Sequence, residues 1–350
     1  MTESAADPLT TKLPAGFDVL AEDLALATEV AEALTLVEED LLGSLASADE
    51  LVNASARYLA QAGGKRVRPL LTVLTSMLGD GVDERVRRAA AVMEMTHLAT
   101  LYHDDVMDSA PVRRGAPAAH QVWGNSVAIL TGDLILARAS RLMSELGVDA
   151  SKIQAQTFER LVMGQLHETV GPQESEDAYA HYLRVIGDKT GSLVAAAARL
   201  GAHFGGCSES TTAMLEEYGE AVGVAFQLAD DVIDITADPE ASGKTPGTDL
   251  REGVSTLPVL LLRQHARTAT AGQDRDEAVQ ALELVDGDLS SDEALARAVA
   301  AVVAHPVTEQ SWEVAHSWAE KAKQSIAGLP ESTVKSALLS FADAVVERDG

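Results

Sequence analysis

Apolar residues recur along this chain at the spacing of one helix face, and no stretch alternates cleanly in the manner of a strand. The segment EVAEALTLVEEDLLGSLA places Val30, Leu34, Val37, Leu41 and Leu45 on one helical stripe. The breaks between such segments are short and rich in turn formers: GGK (63–65), GDGVD (79–83), GPQESED (171–177), ADPEASGKTPGTD (237–249), RTATAGQDRD (267–276) and VDGDLSSDE (285–293). None is long enough to act as a linker between separate domains. The pattern predicts a loose leader over residues 1–16 and one all-α domain over 17–350, a bundle of ten or more helices.

Composition narrows what such a bundle can bind. The 350 residues carry 27 Lys and Arg against 54 Asp and Glu, a formal net charge of −27. A field of that sign repels nucleic acid, which is excluded as a partner, and disfavours anionic membrane surfaces. An anionic small substrate needs a local basic cluster, bound cations, or both. Cys207 is the single cysteine, so no intrachain disulfide forms, which is compatible with a reducing cytoplasm. The start of the chain lacks the basic and apolar regions of a signal peptide, and no apolar run is long enough to span a membrane. The expected location is cytoplasmic.

Two acidic clusters stand out against this background. HDDVMDSAPVRRG (103–115) contains Asp104, Asp105 and Asp108, and QLADDVIDI (227–235) contains Asp230, Asp231 and Asp234. Both read DDxxD and both follow apolar helical sequence. The first and last aspartates of each lie about one turn, or roughly 6 Å, apart on one helix face. A single such cluster in so acidic a chain reads as a solvated helix end. Two of them, each embedded in apolar sequence, read as interior carboxylates that need cationic compensation. Mg²⁺ fits, because it takes oxygen ligands from a few carboxylates plus substrate phosphates; zinc would call for His or Cys, and a helix–loop–helix calcium site for a loop Gly and a terminal Glu.

The scarce basic residues gather near glycines and near the aspartates. GGKRVRP (63–69) supplies Lys65, Arg66 and Arg68; Arg113 and Arg114 follow the first cluster; Lys189 and Thr190 sit in GDKTG, and Lys244 in SGKTPG. Arginine forks match phosphate oxygens and lysine supplies a point charge. Carboxylates for Mg²⁺ with arginines for phosphate point to a diphosphate substrate.

The motifs GGKRVRP, HDDVMDSAPVRRG, GQLHE, KTGSL, FQLADDVIDI and GKTPGTDLREGVSTLP occur in the order found in the trans (all-E) isoprenyl diphosphate synthases, which the chain resembles from about Leu51 to its end. The resemblance implies an all-α bundle around a central cavity that joins an allylic diphosphate to isopentenyl diphosphate. It assigns Asp104, Asp108 and Asp230 to Mg²⁺, three ions per site with substrate bound, with Asp105, Asp231 and Asp234 in support. Arg113 matches the allylic diphosphate site, and Lys65, Arg68, His97 and Arg114 the isopentenyl diphosphate site. Lys189, Thr190, Gln227 and Lys244 match positions that touch the allylic diphosphate or steady its cation. His97 precedes Asp104 by about two turns on nearly the same face. Arg348 resembles a tail residue that helps close the site. One departure stands out: Val254 occupies a place where many members carry a loop lysine, which lightens the phosphate clamp by one charge.

In the family, bulky side chains just before the first aspartate cluster stop chain growth early. Here those positions are Ala99 and Thr100, and Ser140 stands where many relatives carry an aromatic floor. The expectation is a deep tunnel and a long product of about seven to ten isoprene units (C35–C50), with a C20 geranylgeranyl product as the alternative. A class I terpene cyclase, a non-catalytic subunit and a plain acidic helical protein are the rival readings. The second DDxxD, the second-substrate motif GGKRVRP and the retention of all six aspartates weigh against them. The resemblance further implies a homodimer and transient membrane contact for release of an apolar product.

Overall fold

The computed structural model describes residues 14–237, 245–269 and 272–347. A single 3₁₀ turn, Asp18–Glu22, leads into the helices α1 (Leu24–Leu45), α2 (Glu50–Gln61), α3 (Val67–Ser76) and α4 (Glu84–Met107). A small ribbon follows, β1 (Val112–Arg113) and β2 (Ala116–Pro117), then α5 (Ala119–Trp123), α6 (Asn125–Glu145), α7 (Val148–Val170) and α8 (Ala178–Ile186). A π-turn, Gly187–Gly191, joins α8 to α9 (Ser192–Phe204). The rest is α10 (Glu209–Thr236), α11 (Thr248–Arg251), α12 (Leu257–Thr268), α13 (Gln273–Val285), α14 (Asp292–Ala304), α15 (Val307–Ser325) and α16 (Thr333–Glu347).

The surplus of aspartate helps to start these helices. Asp23, Asp49, Asp83 and Asp177 each accept a hydrogen bond from a first-turn amide of α1, α2, α4 and α8, at 2.8–3.1 Å. Each cap satisfies an amide that would otherwise lack a partner and places negative charge at the positive end of the helix dipole. The expected breaks at 63–65, 79–83 and 171–177 fall between helices, and that at 285–293 spans the junction of two, overlapping the end of one and the first turn of the next. On α1, Val30, Val37, Leu41 and Leu45 are buried as the stripe requires, while Leu34 is only half-buried and Ala33 turns inward beside it.

The described residues fall into two compact units. The first draws on the described residues of 14–161, 192–220 and 325–340; the second on those of 162–191, 221–324 and 341–347. In the first, α4 packs against α1, α3, α6 and α9, and its run from Ala89 to Thr96 is buried all round. Small residues permit the close approach: a Cβ on Gly201 of α9 would stand 2.1 Å from the Thr72 carbonyl oxygen of α3. The second unit has its own core, in which Ile235, Val259, Leu262, Leu295, Ala298 and Val302 are buried together. Most of the predicted leader, residues 1–13, lies outside the described residues.

Candidate active site

Both aspartate motifs stand at the C-terminal ends of long helices. Asp104 and Asp105 occupy the last turn of α4 and Asp108 is its C-cap residue. Asp230, Asp231 and Asp234 occupy the last two turns of α10. Carboxylates at this end face the partial negative charge of the helix dipole, the reverse of the capping aspartates above. Such placement calls for nearby cations.

In the first unit Asp105 is fully buried, and its Oδ1 accepts from Arg113 Nε at 2.6 Å. Its Oδ2, also buried, has no hydrogen-bond partner among the described residues. Asp104 is half-buried and Asp108 exposed. Arg113 reaches Asp105 because the β1–β2 ribbon folds the chain back, pairing Arg113 with Ala116. The two turn residues between them, Arg114 and Gly115, both have positive φ, 54° and 76°, as a tight hairpin turn requires. This ribbon is the one strand pair among the described residues, and two-residue strands are too short for an alternating pattern to show in the sequence.

The same turn brings the scattered basic residues together. His97 on α4 lies in the field of Arg68, Arg114, Arg113 and Arg66; burial first, then these four charges, hold its pKa well below the ordinary value, so it is neutral at pH 7. Glu94, one turn before His97 and almost fully buried, anchors the cluster: Arg66 bonds to it at 2.9 Å and Arg114 pairs with it at 3.6 Å. Arg66 also forks onto Glu38 with two bonds of 2.9 Å, and Arg114 donates to the carbonyls of Leu59 and Gly63. Arg66 is thus committed to the scaffold, and Arg114 is held in place by it. Gly64 makes room for the second, since a Cβ there would meet the Arg114 guanidinium carbon at 2.8 Å. Arg68 is different. Its Nε is buried with no hydrogen-bond partner among the described residues, and burial lowers its pKa. A half-buried guanidinium with an Nε lacking an acceptor among the described residues, close to a neutral His, suits an anion.

In the second unit, Asp231 is buried and fully bonded. Gln227 Nε2 donates to Oδ1 at 3.1 Å, and the Tyr182 hydroxyl and the Leu257 amide donate to Oδ2, the latter at 3.4 Å. Burial nevertheless pushes its pKa up to about 6, because no cation is among these donors. Burial and then the Asp231 charge raise the Tyr182 hydroxyl, which stays protonated. Thr190, in the π-turn, donates to Gln227 Oε1 at 3.3 Å, and Lys189 beside it pairs with Glu168 at 2.6 Å. Gly164 of the GQLHE motif admits this turn, for a Cβ there would lie 2.9 Å from the Lys189 amide nitrogen. After residue 244 the chain returns to the aspartates: the Gly247 amide donates to the Asp234 carbonyl at 2.7 Å and the Asp249 amide to Asp234 Oδ2 at 3.2 Å. Asp249 itself is pushed up to about 7, by burial first and then by Asp234, Asp231, Glu252 and Asp230.

Of the chain-length positions, Ala99 is fully buried and Thr100 half-buried, its hydroxyl turned back to the His97 carbonyl at 2.8 Å. Ser140 is exposed on α6, one residue off the buried Ala139, and accepts from Gln154 of α7 at 3.1 Å. Val254 is 43% exposed, in keeping with a loop position. Lys244 and Arg348 lie outside the described residues. The sequence reading did not single out Glu94 or Tyr182. An acid alone inside AAAVMEMTHLAT, and a tyrosine two turns before KTG in a chain with 4% aromatics, were the available signals.

Among the described residues no three His, Cys, Asp or Glu side chains converge into a ready-made metal cage. Mg²⁺ does not need one, since one or two carboxylates and phosphate oxygens hold it. The oxygen-only donors at each of these helix ends suit such an ion.

The comparisons agree with this chemistry. The family described as "Polyprenyl synthetase" matches residues 49–300. The nonaprenyl diphosphate synthase of Mycobacterium tuberculosis is 44% identical over 329 residues, covering 94% of this chain and 96% of that protein. The geranylgeranyl pyrophosphate synthase of Corynebacterium glutamicum, solved with calcium and isoprenyl diphosphate, has a TM-score of 0.81 and 41% identity, covering 94% of this chain and 98% of that one. The polyprenyl synthase of Caulobacter crescentus, also solved with calcium and isoprenyl diphosphate, has a TM-score of 0.83 and 32% identity, covering 96% and 99%. Helix-end aspartates and a basic cluster carried by one all-α chain are thus the marks of its family: the protein belongs to the polyprenyl synthetases, the trans-isoprenyl diphosphate synthases.

Proposed function

We propose that this chain condenses an allylic diphosphate with isopentenyl diphosphate to give a long-chain all-E polyprenyl diphosphate, C35–C50, with residues 17–350 acting as one domain. The observation that carries the reading is in the first unit. There α4 bears both the carboxylates at its end and, two turns earlier, a neutral His97 among arginines, one of which buries an Nε without a partner among the described residues.

Lys65, Arg68, His97 and Arg114 hold the isopentenyl diphosphate, and Arg113, Lys189 and Lys244 the allylic diphosphate. The family resemblance gives Asp104, Asp108 and Asp230 as the residues that would hold Mg²⁺, with Asp105, Asp231 and Asp234 in support. Mg²⁺, when bound, neutralises the leaving diphosphate. The allylic C–O bond breaks, the double bond of isopentenyl diphosphate attacks the allylic carbon, and a proton leaves to the departing diphosphate. Thr190 and Gln227 direct oxygen atoms that steady positive charge. The neutral His97 donates a hydrogen bond without adding to the charge of a cluster that already holds four arginines.

Product length rests on Ala99 and Thr100, which are small. The likeness to a nonaprenyl synthase favours a long product, and the likeness to a geranylgeranyl synthase favours the C20 alternative. A second copy of the chain is the partner proposed for the exposed Ile129 and Leu130 of α6. No helix among the described residues is long and apolar enough to cross a membrane, so membrane contact is proposed only as transient docking for product release.

Incubation with Mg²⁺, labelled isopentenyl diphosphate and, separately, C10, C15 and C20 allylic diphosphates tests the reading. Products of C35 or longer are expected, and Ala99→Phe should shorten them. A product that stops at C20 overturns the tunnel, and no condensation with any primer overturns the reaction.

A further inference from the structure

Asp231 takes donors from three separate elements: Tyr182 from α8, Gln227 from its own helix α10, and the Leu257 amide at the start of α12. A partly buried tyrosine hydroxyl could be satisfied by any backbone carbonyl nearby. This one bonds instead to the carboxylate next in sequence to Asp230. With three donors on two oxygens, the Asp231 carboxylate cannot turn, and the last turns of α10 are fixed in rotation about the helix axis. From Gln227 the bonds continue to Thr190 in the π-turn. The reaction above uses Thr190, Gln227 and Asp230 but gives Tyr182 no task.

We infer that Tyr182 is a positioning residue for the diphosphate end of the site: by tying Asp231 down it sets the direction in which Asp230 is presented, and through Gln227 it orders Thr190. The inference rests on the proposed assignment of Asp230 to Mg²⁺. Groups that hold a ligand's surroundings in place are worth about 10–100-fold in metal affinity or activity. Tyr182→Phe keeps the ring and removes only the hydroxyl, so packing is retained.

The test is calorimetric titration of the full chain with Mg²⁺ and inorganic diphosphate, alongside steady-state kinetics. Tyr182→Phe is expected to weaken Mg²⁺–diphosphate binding about ten-fold and to raise KM for the allylic diphosphate, with KM for isopentenyl diphosphate unchanged. Asp231→Asn should show the same defect, and the double variant should be no worse than Asp231→Asn alone. Asp230→Asn should lose the binding altogether. Wild-type binding in Tyr182→Phe alongside its loss in Asp230→Asn overturns the role of Tyr182 and leaves the site standing. Wild-type binding in Asp230→Asn overturns the metal assignment and this inference with it. If Tyr182→Phe does not fold, Asp231→Asn decides: normal binding there overturns the proposal. A lowered melting temperature with unchanged binding and KM marks a merely structural tyrosine and overturns it too.

Discussion

The two DDxxD motifs share a spacing and a place at a helix C-terminus, yet their middle aspartates are stabilised in opposite ways. Asp105 meets a cation, Arg113, at 2.6 Å. Asp231 meets only neutral donors, the Tyr182 hydroxyl, the Gln227 amide and a backbone amide. In the first unit the charge of the buried carboxylate is balanced within the chain. In the second it is not: Asp231 is pushed up to about 6, and Asp249 nearby to about 7. The middle aspartate of the first motif finds its counter-charge in the chain, and that of the second has none among its hydrogen-bond donors. Identical sequence spacing therefore does not mean identical electrostatics, and the second motif is the one whose behaviour should respond most to added cations and to pH.

The largest expected effect follows from removing the built-in cation. Arg113→Met leaves the buried Asp105 carboxyl without its cation, and breaking such a pair from one side costs about 3 kcal/mol. Tyr182→Phe removes one neutral donor of three from Asp231 and should cost about 1 kcal/mol. Urea unfolding of both variants without divalent metal compares them directly. Equal losses would mean that the Arg113 pair is no more than a hydrogen bond and would dissolve the contrast.

An effect of intermediate size tests the support of the second unit. Gly164→Ala would set a Cβ 2.9 Å from the Lys189 amide nitrogen and 3.1 Å from the Asp188 Cβ, rigid neighbours that cannot swing aside. Overpacking of this kind costs about 1–3 kcal/mol. The π-turn should shift with it, so the KM for the allylic diphosphate is expected to rise while that for isopentenyl diphosphate holds. A rise in both would show that the first unit depends on this turn as well.

Much of this was legible in the sequence. Helical periodicity placed α1 and the breaks between helices, because burial of one face imposes its period on the chain. The duplicated DDxxD and the clustered basic residues marked the chemistry. What spacing could not convey was which charges neutralise each other. Arg66 pairs with Glu38 and Glu94, and Arg114 with Glu94 and two backbone carbonyls, and those pairings depend on partners tens of residues away. The β1–β2 ribbon was missed for a related reason: a two-residue strand has no period. Ser140, which stands where many relatives carry an aromatic floor, is exposed and bonded to Gln154, since one residue of helix rotation separates it from the buried Ala139.

The smallest expected effect isolates the unbalanced charge of the second motif. In the folded chain Asp249 holds its proton up to about pH 7, whereas an unfolded aspartate loses it near 4. The folded state therefore binds the proton more tightly. The stability tied to this group is fully present below about pH 4, falls as pH rises, and levels off above about 7. Asp249→Asn has no charge to crowd against Asp230, Asp231 and Asp234. In EDTA at pH 8 it should be more stable than the parent, by on the order of 1–2 kcal/mol once solvent screening is allowed for, and the gap should close by pH 4. Adding Mg²⁺ with diphosphate at pH 8 should shrink the gap as well, because cations relieve in the parent what the substitution removes. Melting curves over this pH range, with and without metal, decide the matter. A gap that is constant with pH would mean that the crowding around Asp249 is steric, and the second motif would then be as well balanced as the first.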